Sequence, residues 1–302
     1  MISRRSRRAA QSFRSLALRC RVAARAAHAA AWMLACAVVA AATPVRAQTV
    51  QVRPSDGTVY RSLADTSRIP SLREALARDP ADRARILDLA NAQVAARQFR
   101  EAIATYTAAL ERTPNDALLL RWRGHRYLAV REFTRARDDL ERASDLAPEL
   151  YGAWFHLGLA RFFLADFDAA ADAFRKARSL ASSPSERAGC VDWLWGALMR
   201  AGRGEDADRV LQEPREAAAP ADAYERRLAL YRGSLSPDAV LSPSDTSSVR
   251  RATLAHGVGQ WSLIRGDTVS ARRWFERSRA TDAWPSFGFI AAELELARLS
   301  AR

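Results

Sequence analysis

Between Arg83 and Pro184 the apolar residues follow two periods at once. Within short stretches they recur every three to four residues, the spacing of one helical face, and the whole arrangement then returns after 34 residues. Ile86, Leu89, Ala90, Ala102, Tyr106 and Ala109 open the series. One period on stand Leu120, Gly124, Tyr127, Ala136, Leu140 and Ala143. The third copy has Tyr151, Trp154, Leu157, Gly158, Ala170, Phe174 and Ala177. Pro80, Pro114 and Pro148 keep the same step, and Pro184 comes two residues late. Two helical arcs separated by a short polar turn predict a pair of antiparallel helices in each copy.

The columns also predict how the pair packs. Repeat position 8 is small (Ala90, Gly124, Gly158), as is position 20 (Ala102, Ala136, Ala170), whereas positions 17 and 24 are mostly large and aromatic: Phe99, Phe133 and Phe167, then Tyr106, Leu140 and Phe174. Small residues opposite large ones let crossing helices interdigitate, and Gly158 is expected to face Ala170 across the closest crossing. A 34-residue period with W-x2-L-G, A-x3-F and a closing Pro resembles the tetratricopeptide repeat. That resemblance implies an all-α fold, a right-handed superhelix of helix-turn-helix units that binds other chains in its concave groove.

Beyond the regular units the pattern changes but does not stop. Residues 48–68 lack helical periodicity and read as an extended leader; 69–184 hold a capping helix and three regular units. Residues 185–249 hold a degenerate unit, a further helix and a Ser/Pro-rich turn; 250–302 hold a late unit and a closing helix. In the degenerate unit, Gly196 reaches position 8 only if the phase slips by one residue, so its register stays open.

Charge changes the picture at one end only. The formal net charge is +13, yet residues 1–47 hold nine Arg and no acid, leaving 38 basic against 34 acidic residues for the rest. Near balance speaks against nucleic acid as a partner. Arg4, Arg5, Arg7 and Arg8, the apolar run Ala29–Ala42 and the A-x-A-like Val45-Arg46-Ala47 form a secretory signal layout, with cleavage expected before Gln48 and a periplasmic or secreted product. A retained membrane anchor, a lipidated Cys36 and twin-arginine export remain alternatives. Cleavage would leave Cys190 as the lone thiol, a small apolar helix residue.

Candidate chemistry is sparse. There is no H-E-x-x-H, C-x-x-C, G-x-x-x-x-G-K or G-x-S-x-G, so no metal site, cofactor or catalytic residue is assigned. A site assembled in the folded groove from His125, His156 and Asp88 would be the enzyme alternative. Positions 2, 5, 9 and 12 of each first helix, with neighbouring position 6, fall opposite the packing arc. By resemblance they line the groove: Asp88, Asn91, Arg121, Trp122, His125, Phe155, His156, Leu159 and Phe162, with Trp193 joining from the degenerate unit. The alternative is that the solenoid curls and its own C-terminal helices fill this face. The Lys-and-Asn carboxylate clamp of some chaperone-binding members is matched only at Asn91, because its Lys position carries Leu87.

The order of parts is also similar to the NlpI-type periplasmic tetratricopeptide lipoproteins. Three regular units lead to a Trp-rich one (Trp193-Leu-Trp195), a helix ending Leu230-Tyr-Arg-Gly233, and a late unit around Gly266-Asp267, closed by Ala291-Ala-Glu293-Leu-Glu-Leu296. The resemblance implies a homodimeric adaptor at the cell envelope that brings a protease and peptidoglycan hydrolases together.

Overall fold

The computed structural model describes residues 48–64, 68–214 and 222–301, all within one compact unit, Gln48–Arg302. The export-signal reading falls on residues 1–47, outside the described residues. The leader is a small hairpin, with β1 (Val50–Val52) antiparallel to β2 (Tyr60–Arg61). Among the described residues every later element is helical. α1 (Ile69–Arg78) caps three pairs: α2 (Arg83–Ala95) with α3 (Phe99–Leu110), α4 (Ala117–Ala129) with α5 (Phe133–Leu146), and α6 (Tyr151–Phe163) with α7 (Phe167–Leu180). α8 (Pro184–Arg200) with α9 (Gly204–Gln212) forms a fourth pair, followed by α10 (Ala223–Tyr231) and the short α11 (Pro237–Val240). α12 (Ser248–Ile264) with α13 (Thr268–Arg279) forms the last pair, and α14 (Phe287–Ser300) closes the chain.

Short polar side chains start several of these helices. Asp82 accepts from the amides of Ala84 and Arg85, and Asp116 does the same for Leu118 and Leu119. Ser183 and Glu186 form a reciprocal capping box at α8. Each cap is worth about 0.5–2 kcal/mol.

One turn geometry joins the helices of all five pairs. Arg97, Arg131 and Ala165, 34 residues apart, adopt left-handed φ of 55°, 65° and 65°, and Gly202 and Gly266 take that place in the last two pairs at 76° and 82°. In each case the next residue's amide reaches back five residues: Gln98 to Gln93 O at 2.8 Å, Glu132 to Tyr127 O at 3.0 Å, Asp166 to Arg161 O at 2.9 Å, Arg203 to Leu198 O at 2.9 Å and Asp267 to Ser262 O at 3.0 Å. This bond caps the outgoing helix and reverses the chain. It also settles the open register, because counting back from Gly202 puts Trp195, not Gly196, at position 8. Gly196 instead lies against Gln260 of α12, whose amide nitrogen would stand 2.4 Å from a Cβ there.

Within the pairs the small-opposite-large rule holds, with one correction. A Cβ on Gly158 would stand 2.6 Å from the Phe174 ring, one on Gly124 2.7 Å from Leu140, and one on Gly259 2.6 Å from Phe275. Position 8 therefore packs first against the large side chain at position 24, with position 20 next to it: the Ala136 carbonyl oxygen would lie 3.3 Å from a Cβ on Gly124.

The ends of the array return to its middle. Leader residues Val52 and Tyr60, repeat residues from Phe99 to Phe174, and Trp284, Phe289 and Ile290 near the C-terminus share a single buried core. Tyr60 stacks on Trp284 at 5.4 Å and donates to Glu293 at 2.7 Å, and the Arg131 guanidinium meets Glu293 at 2.9 Å. Helix α14 thereby lies against α6, and the solenoid closes on itself.

Candidate functional site at the closing seam

The first helices α2, α4 and α6 carry the concave arc, but most of it is not open. Leu159, Phe162 and Trp193 are 0%, 1% and 0% exposed, and Phe155 and His156 are also buried. This corrects the expectation that they line a free groove. The late unit and the closing helix occupy the face: Phe162 meets Trp193 edge-on at 5.2 Å, and Trp193 stacks on His256 of α12 at 5.4 Å. His125 stacks on His156 at 4.0 Å, and Phe287 at the start of α14 covers both rings at 5.3 and 5.6 Å. Such apolar and aromatic surface gains more from mutual burial than from hydration, so the chain's own helices fill the curl.

Of the other expected site residues, Asp88 and Asn91 on α2 are exposed, and Arg121, Trp122 and His125 on α4 are half-buried. The Arg121 guanidinium carbon lies 3.8 Å from the centre of the Trp122 ring, and that of Arg126, 6% exposed, lies 5.6 Å from the same ring. The opening that remains is a cavity of about 400 Å³ at the seam. The repeats contribute Val94, Phe99 and His125 to its wall, and the C-terminal half contributes Tyr224, Thr253 and Phe287. Val249, 55% exposed, stands at its lip. Arg97, the left-handed turn residue, reaches across the seam to the carbonyl oxygen of Asp282 at 3.1 Å.

The electrostatics of this corner are set by burial. Desolvation, reinforced by the neighbouring guanidiniums, holds both His125 and His156 well below the usual histidine range, so both rings are neutral. Arg126 donates to Nδ1 of His125, while Nδ1 of His156 pairs with the carbonyl of Gly152 as donor. Those bonds take one nitrogen of each ring, and among the described residues Asp88 makes no hydrogen bond or ion pair with either. Burial pulls Arg121 and Arg126 down to about 10, which leaves both cationic at neutral pH. Among the described residues no group of three or more His, Cys, Asp or Glu is placed to hold a metal. The cavity itself offers largely apolar walls with Arg97, Thr253 and Ser286 among its lining residues.

Arg126, Tyr224, Val249 and Phe287 escaped the sequence reading. Arg126 sits at repeat position 10, on neither arc, and the others come from segments whose meeting with the repeats no local period records.

Comparison with known proteins agrees with the helical repeat. Models of the tetratricopeptide repeat match residues 69–121 and 151–184. The chain is 37% identical over 86 residues to the heat-shock protein cognate co-chaperone sgt12 of Aspergillus fumigatus, covering 28% of this chain and 25% of that protein. It is 36% identical over 83 residues to Hsc70-interacting protein 1 of Drosophila melanogaster, covering 28% and 22%. The chain thus spans about a quarter of the length of the curated relatives it matches. A solved tetratricopeptide repeat protein from Parabacteroides merdae aligns over 76% of this chain and 91% of that one, at 19% identity and a TM-score of 0.49. Residues 69–121 and 151–184 of this chain are tetratricopeptide repeats, set in an all-α superhelix of helix-turn-helix units.

Proposed function

We propose that this chain is an exported adaptor that binds a protein or peptide partner at the seam between its repeats and its C-terminal helices, with no chemistry of its own. The observation that carries this reading is the seam cavity, walled by Phe99, His125, Tyr224 and Phe287 with Val249 exposed at its lip. An apolar recess with a few polar groups at its margin is the usual form of a binding site. The repeats support it, since the partial relatives are named as a co-chaperone and an Hsc70-interacting protein. The signal layout before Gln48 supports export, and Gln48–Arg302 forms a compact unit that cleavage there would leave whole. Order of parts supports an NlpI-like role, a dimeric envelope adaptor joining a protease to peptidoglycan hydrolases.

Affinity capture from the host envelope tests this, using wild type and Val249→Glu as baits. Val249 is exposed, so the variant should melt with the wild type while its charge blocks the cavity mouth. The reading expects a partner that wild type retains and Val249→Glu loses. Identical captures by both baits would contradict it. N-terminal sequencing of the exported chain should start at Gln48; a start at Met1 or a lipidated Cys36 would overturn the export assignment.

A further inference from the structure

We propose that the face formed by the 241–247 loop and helices α12 and α13 docks on an anionic phospholipid surface. A lipid phosphate enters a recess between Arg251 and Arg277, while Trp261 and Trp274 meet the headgroup layer. This recess shares no lining residue with the seam cavity, so the two assignments stand or fall separately.

The loop that leads into α12 is built around one carboxylate. Asp245, 8% exposed, accepts from the amide of Ser242 at 2.7 Å and from the Arg226 guanidinium at 3.1 Å, and Nε of Arg250 donates to its other oxygen. Both of its oxygens are therefore engaged. Beside it opens a recess of about 490 Å³, walled by the loop, by Arg251 of α12 and by Arg277 of α13. No other acid lines this recess. Arg251 and Arg277 are exposed, and among the described residues neither forms an ion pair. Four guanidiniums thus gather around one carboxylate that is already taken. Two free guanidinium forks with the Thr246 hydroxyl beside them match the oxygens of a phosphate group.

The ground next to the recess separates a lipid from a free anion. Leu241, in the recess wall, also belongs to an apolar cluster with Leu254 and Val258 of α12, against which the half-buried Trp261 and Trp274 pack. A guanidinium stands over each indole: Arg265 at 4.8 Å from the Trp261 centroid, and Arg277 at 4.5 Å from that of Trp274. Arg277 is therefore common to the recess and to the aromatic face. The acids of α13 do not answer these charges. Asp267 caps the helix by accepting from the Ser270 amide at 2.9 Å, and Glu276 is turned about 100° around the axis from Arg277. Indoles and guanidiniums side by side suit the headgroup layer, where one finds apolar contact and the other phosphate. A free phosphate would use the recess alone and leave both indoles in water.

The test mixes the full-length chain with phosphatidylglycerol vesicles, phosphatidylcholine vesicles, inorganic phosphate or heparin. It follows amide exchange of 241–251 and hydroxyl-radical labelling of Trp261 and Trp274. These footprints are read in place of the bound fraction, because the nine Arg of residues 1–47 can bring any variant to an anionic vesicle. Phosphatidylglycerol should slow exchange of 241–251 and lower labelling of both indoles, less so as salt is raised, and phosphatidylcholine should do neither. Arg251→Met/Arg277→Met should melt with the wild type, since both positions are exposed. It should need roughly tenfold or more lipid for the same footprint, at about fivefold per arginine. Arg73→Met/Arg78→Met removes the same charge from exposed positions on α1 and should footprint as wild type does. No footprint on phosphatidylglycerol, an equal one on phosphatidylcholine, or one that Arg251→Met/Arg277→Met keeps at wild-type lipid would overturn the proposal. So would its loss in the α1 variant, which would reduce the effect to net charge. Inorganic phosphate that slows 241–251 and displaces the vesicle footprint would make this a free-anion site, and heparin producing the whole footprint would make it a general polyanion patch; either result overturns the lipid assignment.

Discussion

Gly158 shows how little room a unit leaves between its helices. A Cβ there would lie 2.6 Å from the Phe174 ring, and that ring is itself held by Phe155 edge-on at 5.9 Å and by Trp193 stacked at 6.3 Å. The ring cannot swing aside without disturbing its neighbours, so Gly158→Ala should cost about 1–3 kcal/mol by overpacking. Gly204→Ala is the control: it lies in α9 with nothing within 4 Å of its would-be Cβ. Urea unfolding should separate the two variants, and equal midpoints would contradict the packing described. At this scale the sequence was informative about size and less so about pairing. The small and large columns announce an interdigitated crossing, but whether position 8 meets position 20 or position 24 depends on the crossing angle, which residue types do not encode. Arg126 was illegible for a different reason: a charged residue off the apolar arc reads as solvated, and only the curl of the array buries it.

At the scale of elements, the five turns are the part most nearly written in the sequence, since Gly202 and Gly266 mark two of them outright. Arg97, Arg131 and Ala165 hide the other three, because they hold a left-handed conformation that costs non-glycine residues about 1–2 kcal/mol. Two of them have a use for their side chains: Arg97 reaches Asp282, and Arg131 reaches Glu293. The leader hairpin was not legible, because strands of three and two residues are too short to show alternation. Its anchor is Glu293, which accepts from Tyr60 at 2.7 Å and pairs with Arg131, both side chains of the pair being nearly buried. Glu293→Ala leaves the Arg131 guanidinium without its carboxylate and the Tyr60 hydroxyl with Arg279 alone, and should cost about 3–5 kcal/mol. Amide exchange of residues 50–61 should quicken with it. An unchanged exchange rate there would show that the leader is held by something else.

At the scale of the molecule, a 34-residue period describes how each unit stacks on the next and nothing more. It places three regular units, a degenerate one and a late one along the chain in that order. It could not show that the late unit and α14 fold back into the concave face, because that contact joins residues more than 100 positions apart: His125 with Phe287, and Tyr60 with Glu293. Aromatic side chains at groove positions fit either a filled face or a binding face. The structure makes Leu159, Phe162 and Trp193 core, and leaves a cavity at the seam with His125 in its wall. This closure is the claim on which the seam, and every function assigned to it, depends. Native-state hydrogen exchange of the full-length chain, followed by mass spectrometry, tests it most directly. A closed superhelix predicts that amides of α14 (287–300) are protected to the same opening free energy as those of α4 and α6, and lose protection together with them as urea is raised. Exchange of 287–300 several orders of magnitude faster than of 117–129 and 151–163 would mean that the helix is undocked, that the groove is open, and that the closed fold is wrong.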